Sequence, residues 1–219
     1  MLSQPLWAYE RGVLWAMDLD GEPPAAARPR APAIFAEAAP ETSGALATAM
    51  GLTDPSEIQR RFAAGSRCFV ARIGDAFAAY GWVSQGEERI GELERSLRMR
   101  PGEAYIWDCV TLEPFRRQGI YSALLVYMVA TLRREGLHRL WIGASQQNRP
   151  SLKGFANAGF QPVVTILYVR LLGLSYSWLV GVANAPPALV ADARQALASD
   201  RSPHGVVGQA HTSGSLHDG

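Results

Sequence analysis

The chain has 219 residues, enough for one domain of ordinary size with extensions. Hydrophobic residues make up 48% and charged residues 19%, the balance of a soluble globular protein. The formal net charge of +1 gives no reason to expect nucleic acid or an acidic membrane surface as a partner.

No apolar run is long enough to span a bilayer, and the first residues lack a signal-peptide core. The two cysteines, Cys68 and Cys109, lie in strand-like runs and read as buried free thiols, which fits a reducing cytoplasm. A reactive Cys109 is the alternative, though no His stands near it in sequence.

Leu6 to Leu19 mixes aromatics with charges and predicts a strand or a hairpin packed on the main domain. Trp7 and Trp15 within it read as packing aromatics, the alternative being a substrate or partner surface. Gly21 to Pro32 is rich in Pro, Ala and Arg and reads as a linker. Ala33–Ala36 is a candidate first strand of the domain, and Ser43 to Met50 a helix that stops at Gly51. Asp54, Pro55 and Glu57 have the spacing of a capping box with Pro at the first helical position, and Gly65 suits the far end. Arg67–Ile73 and Ala76–Val83 read as a hairpin turning at Gly74-Asp75. Gln85 to Gly102 is polar and reads as a long loop or short helix, its charges a solvated face or a substrate wall.

Tyr105 to Leu112 is apolar and aromatic, a strand. Ile120, Leu124, Leu125, Met128 and Leu132 recur at helical spacing. A further strand follows at His138–Ala144, then a short helix after Asn148-Arg149-Pro150-Ser151, then Ala158-Gly159-Phe160. Val163–Leu172 is another strand, Gly173–Val182 continues apolar, and Pro187–Ala198 predicts a helix that packs back on the body. The expected organisation is an N-terminal extension and linker over 1–30, a domain over 31–172, a C-terminal extension over 173–201, and a disordered tail over 202–219. His204, His211 and His217 in that tail are too irregularly spaced for a metal site, and none is expected.

The turn between the strand ending at Leu112 and the helix beginning near Ile120 carries the chemistry. The first N–H groups of a helix lack partners, and the peptide dipoles favour negative charge there. A phosphate can sit on such an end. Gly119 would let the backbone approach it, and Arg116 and Arg117 add positive charge. An ordinary strand-to-helix turn with exposed arginines is the alternative.

Arg116-Arg117-Gln118-Gly119-Ile120-Tyr121 resembles the Arg/Gln-x-x-Gly-x-Gly/Ala acyl-CoA pyrophosphate loop of the GNAT superfamily of N-acyltransferases. Asn148-x-x-Ser151 followed by Ala158-Gly159-Phe160 resembles that family's next motif block, in matching order and separation. The resemblance is clear over Ala104–Leu172 and looser from Ala31. It implies an α/β fold with a mixed, mostly antiparallel sheet flanked by helices on both faces. It also implies acyl transfer from acetyl-CoA or another acyl-CoA to an amine of a small molecule or protein. The backbone of Arg117, Gln118, Gly119, Tyr121 and Ser122 would contact the pyrophosphate beside Arg116, with Tyr121 in place of the usual small residue. Val110, Thr111 and Leu112 would pair with the pantetheine arm, Asn148 and Ser151 would contact the cofactor, and the Thr111 N–H would serve the oxyanion. A homodimer is compatible with this reading.

The attacking amine needs a base, and Asp108 is a carboxylate inside an otherwise apolar strand. Its alternative role is a structural pair with Arg139 or backbone groups. In a regular strand Glu103 points to the opposite face, so it is left out of the site unless a bulge intervenes. The resemblance places a Tyr where this chain has Phe155, so the acid is open, with Ser151 and Tyr168 as candidates. An acyl-CoA-binding module without catalysis, or an interaction protein, remain alternatives.

Overall fold

The computed structural model describes residues 7–21, 28–90, 95–171 and 174–197. Among them the chain runs β1 (Trp7–Asp18), β2 (Ile34–Ala38), α1 (Ser43–Ala49), α2 (Ser56–Ala63), β3 (Arg67–Ile73), β4 (Ala76–Ser84), β5 (Glu87–Ile90) and β6 (Arg95–Arg98). It continues with β7 (Glu103–Thr111), α3 (Ile120–Arg134), β8 (Arg139–Ser145), α4 (Arg149–Asn157), β9 (Gln161–Leu171), β10 (Leu174–Gly181) and α5 (Pro187–Ala196). Eight strands form one sheet in the order β10-β9-β1-β8-β7-β4-β3-β2, and β5 and β6 form a separate pair. The β7–β8 pairing is parallel, and the other seven pairings are antiparallel.

The helices divide between the two faces. On one face α3 and α4 bury Ile120, Leu124, Met128 and Phe155 against Phe69, Ile106 and Ile142. On the other, Leu46 of α1 and Ile58 of α2 cover Trp82, while Leu189 and Ala193 of α5 cover Trp141 and Leu14. Trp107 packs against both clusters of that second face and joins them. Trp82, Trp141, Phe69 and Phe155 are among the largest fully buried side chains. Burying each such side chain is worth about 2–3 kcal/mol. This is the α/β sheet architecture that the resemblance implies, with helices on both faces.

Three expectations change. The segment expected as a strand or hairpin packed onto the domain is a single strand inside the sheet, antiparallel to both β8 and β9. Leu14 and Ala16 pack on one face of β1 while Trp15 and Met17 pack on the other, and a strand covered on both faces belongs in the interior. The side chain of Trp7 lies outside the described residues, as do residues 22–27 of the expected linker and 198–219, including the expected tail.

The second change is at Gln85–Gly102, where β5 and β6 form a small hairpin instead of a loop or helix. Leu97 is fully buried, and Arg95 donates to the Leu197 carbonyl (2.7 Å) and Ser177 Oγ (2.7 Å), so these side chains anchor the hairpin on the body. Third, α2 begins at Ser56, whose N–H donates to Asp54 Oδ1 (2.9 Å). Glu57 does not reach back to complete a capping box. It pairs with Arg61 one turn on (2.6 Å).

Candidate active site

The site is built on an irregularity in β7. This strand pairs with β8 only from Glu103↔Arg139 to Ile106↔Ile142. Its register with β4 then shifts, from Trp107 opposite Trp82 to Val110 opposite Tyr80. Asp108 and Cys109 together face the single residue Gly81, which is a β-bulge. Asp108 takes φ +44°, the left-handed region that Asp tolerates better than most residues. A bulge bends its strand and increases its twist, so β7 leaves β8 and a wedge opens between Trp107–Thr111 and Gly143–Ser145.

The bulge also resets the alternation of side chains. Asp108 now shares the face of Trp107 and Glu103, contrary to the regular-strand expectation. Glu103 still does not join it. It is buried near the start of β7, where it accepts from Trp141 Nε1 (3.0 Å), the Arg100 N–H (3.2 Å) and Arg139 (3.4 Å). Arg139 is further held by Asp18 (2.5 Å) and Asp192 (2.7 Å), so it is not the partner of Asp108. That partner is Arg61 of α2, whose Nη1 donates to Asp108 Oδ2 at 2.5 Å. The Arg61 guanidinium also bonds Glu57 and lies over the rings of Trp107 (4.8 Å) and Trp82 (5.1 Å). Asp108 is therefore both in the wedge and engaged in an ion pair.

Thr111 is oriented by the ladder. The Leu112 N–H donates to the Ala78 carbonyl (2.9 Å), and antiparallel bonds alternate, so the Thr111 N–H points to the opposite edge, toward the wedge. Thr111 Oγ1 is buried without a partner among the described residues. Val110 and Leu112 pack on the α1–α2 side of the sheet. Cys109 faces α3, and its thiol is pushed well above the usual range by burial and then by the charge of Asp108. A thiol held protonated in this way is a poor nucleophile.

Downstream of β7, a short 3-10 turn at Glu113–Phe115 leads to Arg117 at φ +62° and Gly119 at φ +77°. Gly119 is the N-cap of α3 and no side chain caps that end. Gly119 has no side chain to shield the first N–H groups of α3, and its left-handed φ is strained for any other residue. Arg116 and Arg117 are exposed there, Arg116 also donating weakly to the Thr111 carbonyl (3.4 Å) and Gln118 to that of Pro114 (3.3 Å). Ser122 stands in the first turn of the helix. An uncapped helix end, two exposed arginines and an unpaired Thr111 hydroxyl in the adjoining strand are a donor set that fits a pyrophosphate and the polar arm that follows it.

Tyr121 does not cross this turn. Its ring lies in the seam between α3 and α4, where a Cβ on Gly154 would stand 2.5 Å from it, and it stacks on Phe155 (6.4 Å between centroids). Burial pushes its phenol well above the usual range, against a hydrogen bond with the Ser151 side chain. Asn148 Oδ1 accepts from the Ser151 N–H (3.2 Å) and caps α4. Asn148 and Ser151 thus have partners within the protein. Phe155 also packs edge-on against Trp15 (5.9 Å), whose Nε1 is buried without a partner among the described residues. Tyr168 is buried in β9 on the α5 face and is separated from β8 by β1.

On the Asp108 face a cleft of about 50 Å³ opens beside the wedge, lined by Glu10, Leu14, Ile90, Tyr105, Gly143 and Ser145. Sequence reasoning missed Glu10 and Arg61. The only signal for Arg61 was its i+4 spacing from Glu57, which also describes many surface pairs.

Residues 32–160 match the model of the Acetyltransferase (GNAT) family. Among solved structures, a GCN5-related N-acetyltransferase from Sphaerobacter thermophilus superposes with a TM-score of 0.54 at 15% identity, covering 80% of this chain and 54% of that one. A tandem GNAT protein from the clavulanic acid biosynthesis pathway gives 0.53 at 16% identity, covering 80% and 55%. A GNAT-family acetyltransferase from Colwellia psychrerythraea gives 0.51 at 13% identity, covering 78% and 57%. The chain thus spans a little over half the length of each of these proteins. No curated protein sequence matches it.

Proposed function

Because the chain belongs to the GNAT acetyltransferase family, we propose that it transfers an acyl group, most simply acetyl, from acyl-CoA to an amine of a small molecule or protein. The observation that supports this best is the adjacency of two features. The uncapped start of α3, with Arg116, Arg117 and Gly119, directly follows the open edge of β7, which presents the Thr111 N–H and Asp108.

The reaction forms a bond from the amine nitrogen to the thioester carbon and breaks the C–S bond. The turn residues 117–119 and the first N–H groups of α3, at Tyr121 and Ser122, hold the phosphates. The N–H of Thr111 donates to the oxygen that gains negative charge. Asp108 receives the amine proton, directly or through water, while Arg61 fixes its orientation. The amine approaches from the Asp108 face, where the cleft beside Gly143 lies. Phe155 has no proton to give, and the thiolate, a fairly weak base, leaves without help from that position.

A second reading, acyl-CoA binding without turnover, is favoured by the engagement of Asp108 with Arg61. Calorimetric titration with acetyl-CoA, with Gly119→Glu as control, tests the shared premise. Glutamate adds a negative side chain and a disfavoured φ at the phosphate turn, and should abolish binding while the fold persists by circular dichroism. Binding by wild type alone supports the turn's role, and an amine screen then separates the two readings. A folded wild type that binds nothing would sink both.

A further inference from the structure

We propose that Arg28 and Arg30 form a second wall of the phosphate site, an arginine strap lying across the turn before α3. This rests on the acyl-CoA reading above. The strap is held by its backbone. The Arg30 N–H donates to the Gln118 carbonyl (2.9 Å), and a Cβ on Gly119 would stand 3.6 Å from Pro29 Cα and 3.7 Å from the Arg28 carbonyl oxygen. Pro29 restricts φ between the two arginines and stiffens the crossing.

Both side chains are exposed, and neither makes a hydrogen bond or ion pair with another described residue. Arg61, Arg67, Arg98, Arg100 and Arg139 pair with acids, whereas Arg28 and Arg30 do not. The strap therefore brings Arg28 and Arg30 to the turn that already carries Arg116 and Arg117, at the positive end of a helix. Four arginines carried by the strap and the turn add positive charge beside one helix N-terminus, and an anion of high charge bound there would offset it. The end of an acyl-CoA that bears the pyrophosphate and the ribose 3′-phosphate is such an anion. Arginine reads phosphate through paired N–H donors, and a side chain anchored one hydrogen bond from Gln118 is long enough to reach a group on that turn.

Calorimetry tests this with acetyl-CoA and with its analogue lacking the ribose 3′-phosphate, on wild type and on the double variant Arg28→Ala/Arg30→Ala. Neither side chain has a partner within the described protein, so the variant should fold as wild type does. We expect it to bind acetyl-CoA about tenfold more weakly, with a shallower dependence on salt, from the loss of two exposed charge contacts. If only the affinity for the full cofactor falls, the strap reads the 3′-phosphate, and if both fall it reads the pyrophosphate; either result supports the proposal. Unchanged or tighter binding by the double variant overturns it, the tighter case making the strap a cover over the turn. A wild type that binds neither molecule removes the acyl-CoA reading and the strap together.

Discussion

The two halves of β7 use the same backbone for opposite ends. From Glu103 to Ile106 the strand pairs with β8, from Tyr105 onward with β4 as well, and its side chains are buried. The carboxylate of Glu103 is enclosed, and indole, amide and guanidinium donors converge on it. From Trp107 to Thr111 the strand is bulged, free of β8 on one edge and only half-buried. It holds a carboxylate at φ +44°, and a Thr hydroxyl left unpaired among the described residues. The first half is what a sheet needs in order to be stable. The second departs from that at a localised cost, and strain and unpaired polar groups in native proteins concentrate where function is carried out.

The largest expected effect tests the first half. Glu103→Ala leaves the Trp141 indole N–H buried and unpaired and removes one acid partner from Arg139. Loss of one member of a buried charged network costs about 3–5 kcal/mol, so the urea midpoint should fall steeply. Acetyl-CoA affinity of the protein that stays folded should not change. A stability cost below about 1 kcal/mol would mean that the enclosed carboxylate is not a structural keystone.

Asp108→Asn tests the second half. Asn accepts the left-handed φ as readily as Asp does, so the bulge should persist. The partly exposed pair with Arg61 is worth about 1 kcal/mol or less, so the variant should melt close to wild type. Turnover with an accepted amine should nevertheless fall by about a hundredfold, as general-base removal does, with acetyl-CoA affinity preserved. Full activity in the variant would assign Asp108 a purely structural role with Arg61.

The smallest effect is in the response to alkali. Burial pushes the Cys68 thiol from 9.0 up to about 12, and Cys109 is raised as well. The folded state therefore holds thiol protons that the unfolded chain releases above pH 9. Stability from this source is complete below pH 9.0 and is lost as pH rises toward about 12, at up to about 1.4 kcal/mol per pH unit per thiol. Denaturant titrations at pH 8 and pH 10 should show the decline, and Cys68→Ala should reduce it. An unchanged slope in that variant would place the sensitivity elsewhere.

Much of the frame was legible in the residues. The apolar period of α3, the hairpin of β3 and β4, the terminal helix α5 and the motif turn at Arg116–Gly119 all follow from local pattern. The family, too, was legible in two short motifs at matching separation. The place of β1 was not. A strand covered on both faces and one laid on a surface differ in what lies above them, which sequence alternation does not record. The hairpin of β5 and β6 was hidden for a related reason, since Arg95 and Leu97 find their partners on distant elements.

The site divides in the same way. Sequence alone determined which residue types stand at the phosphate turn, because a helix start, a glycine and two arginines are adjacent in the chain and act through the local backbone. It also singled out Asp108 as a carboxylate out of place in an apolar strand. Only the tertiary structure decided which way that carboxylate faces and that Arg61, 47 residues away, pairs with it. The same holds for the segment at Arg28–Arg30, which crosses the turn. Each of these depends on a bulge or a crossing that long-range packing selects, and nothing in the local sequence fixes where such elements meet.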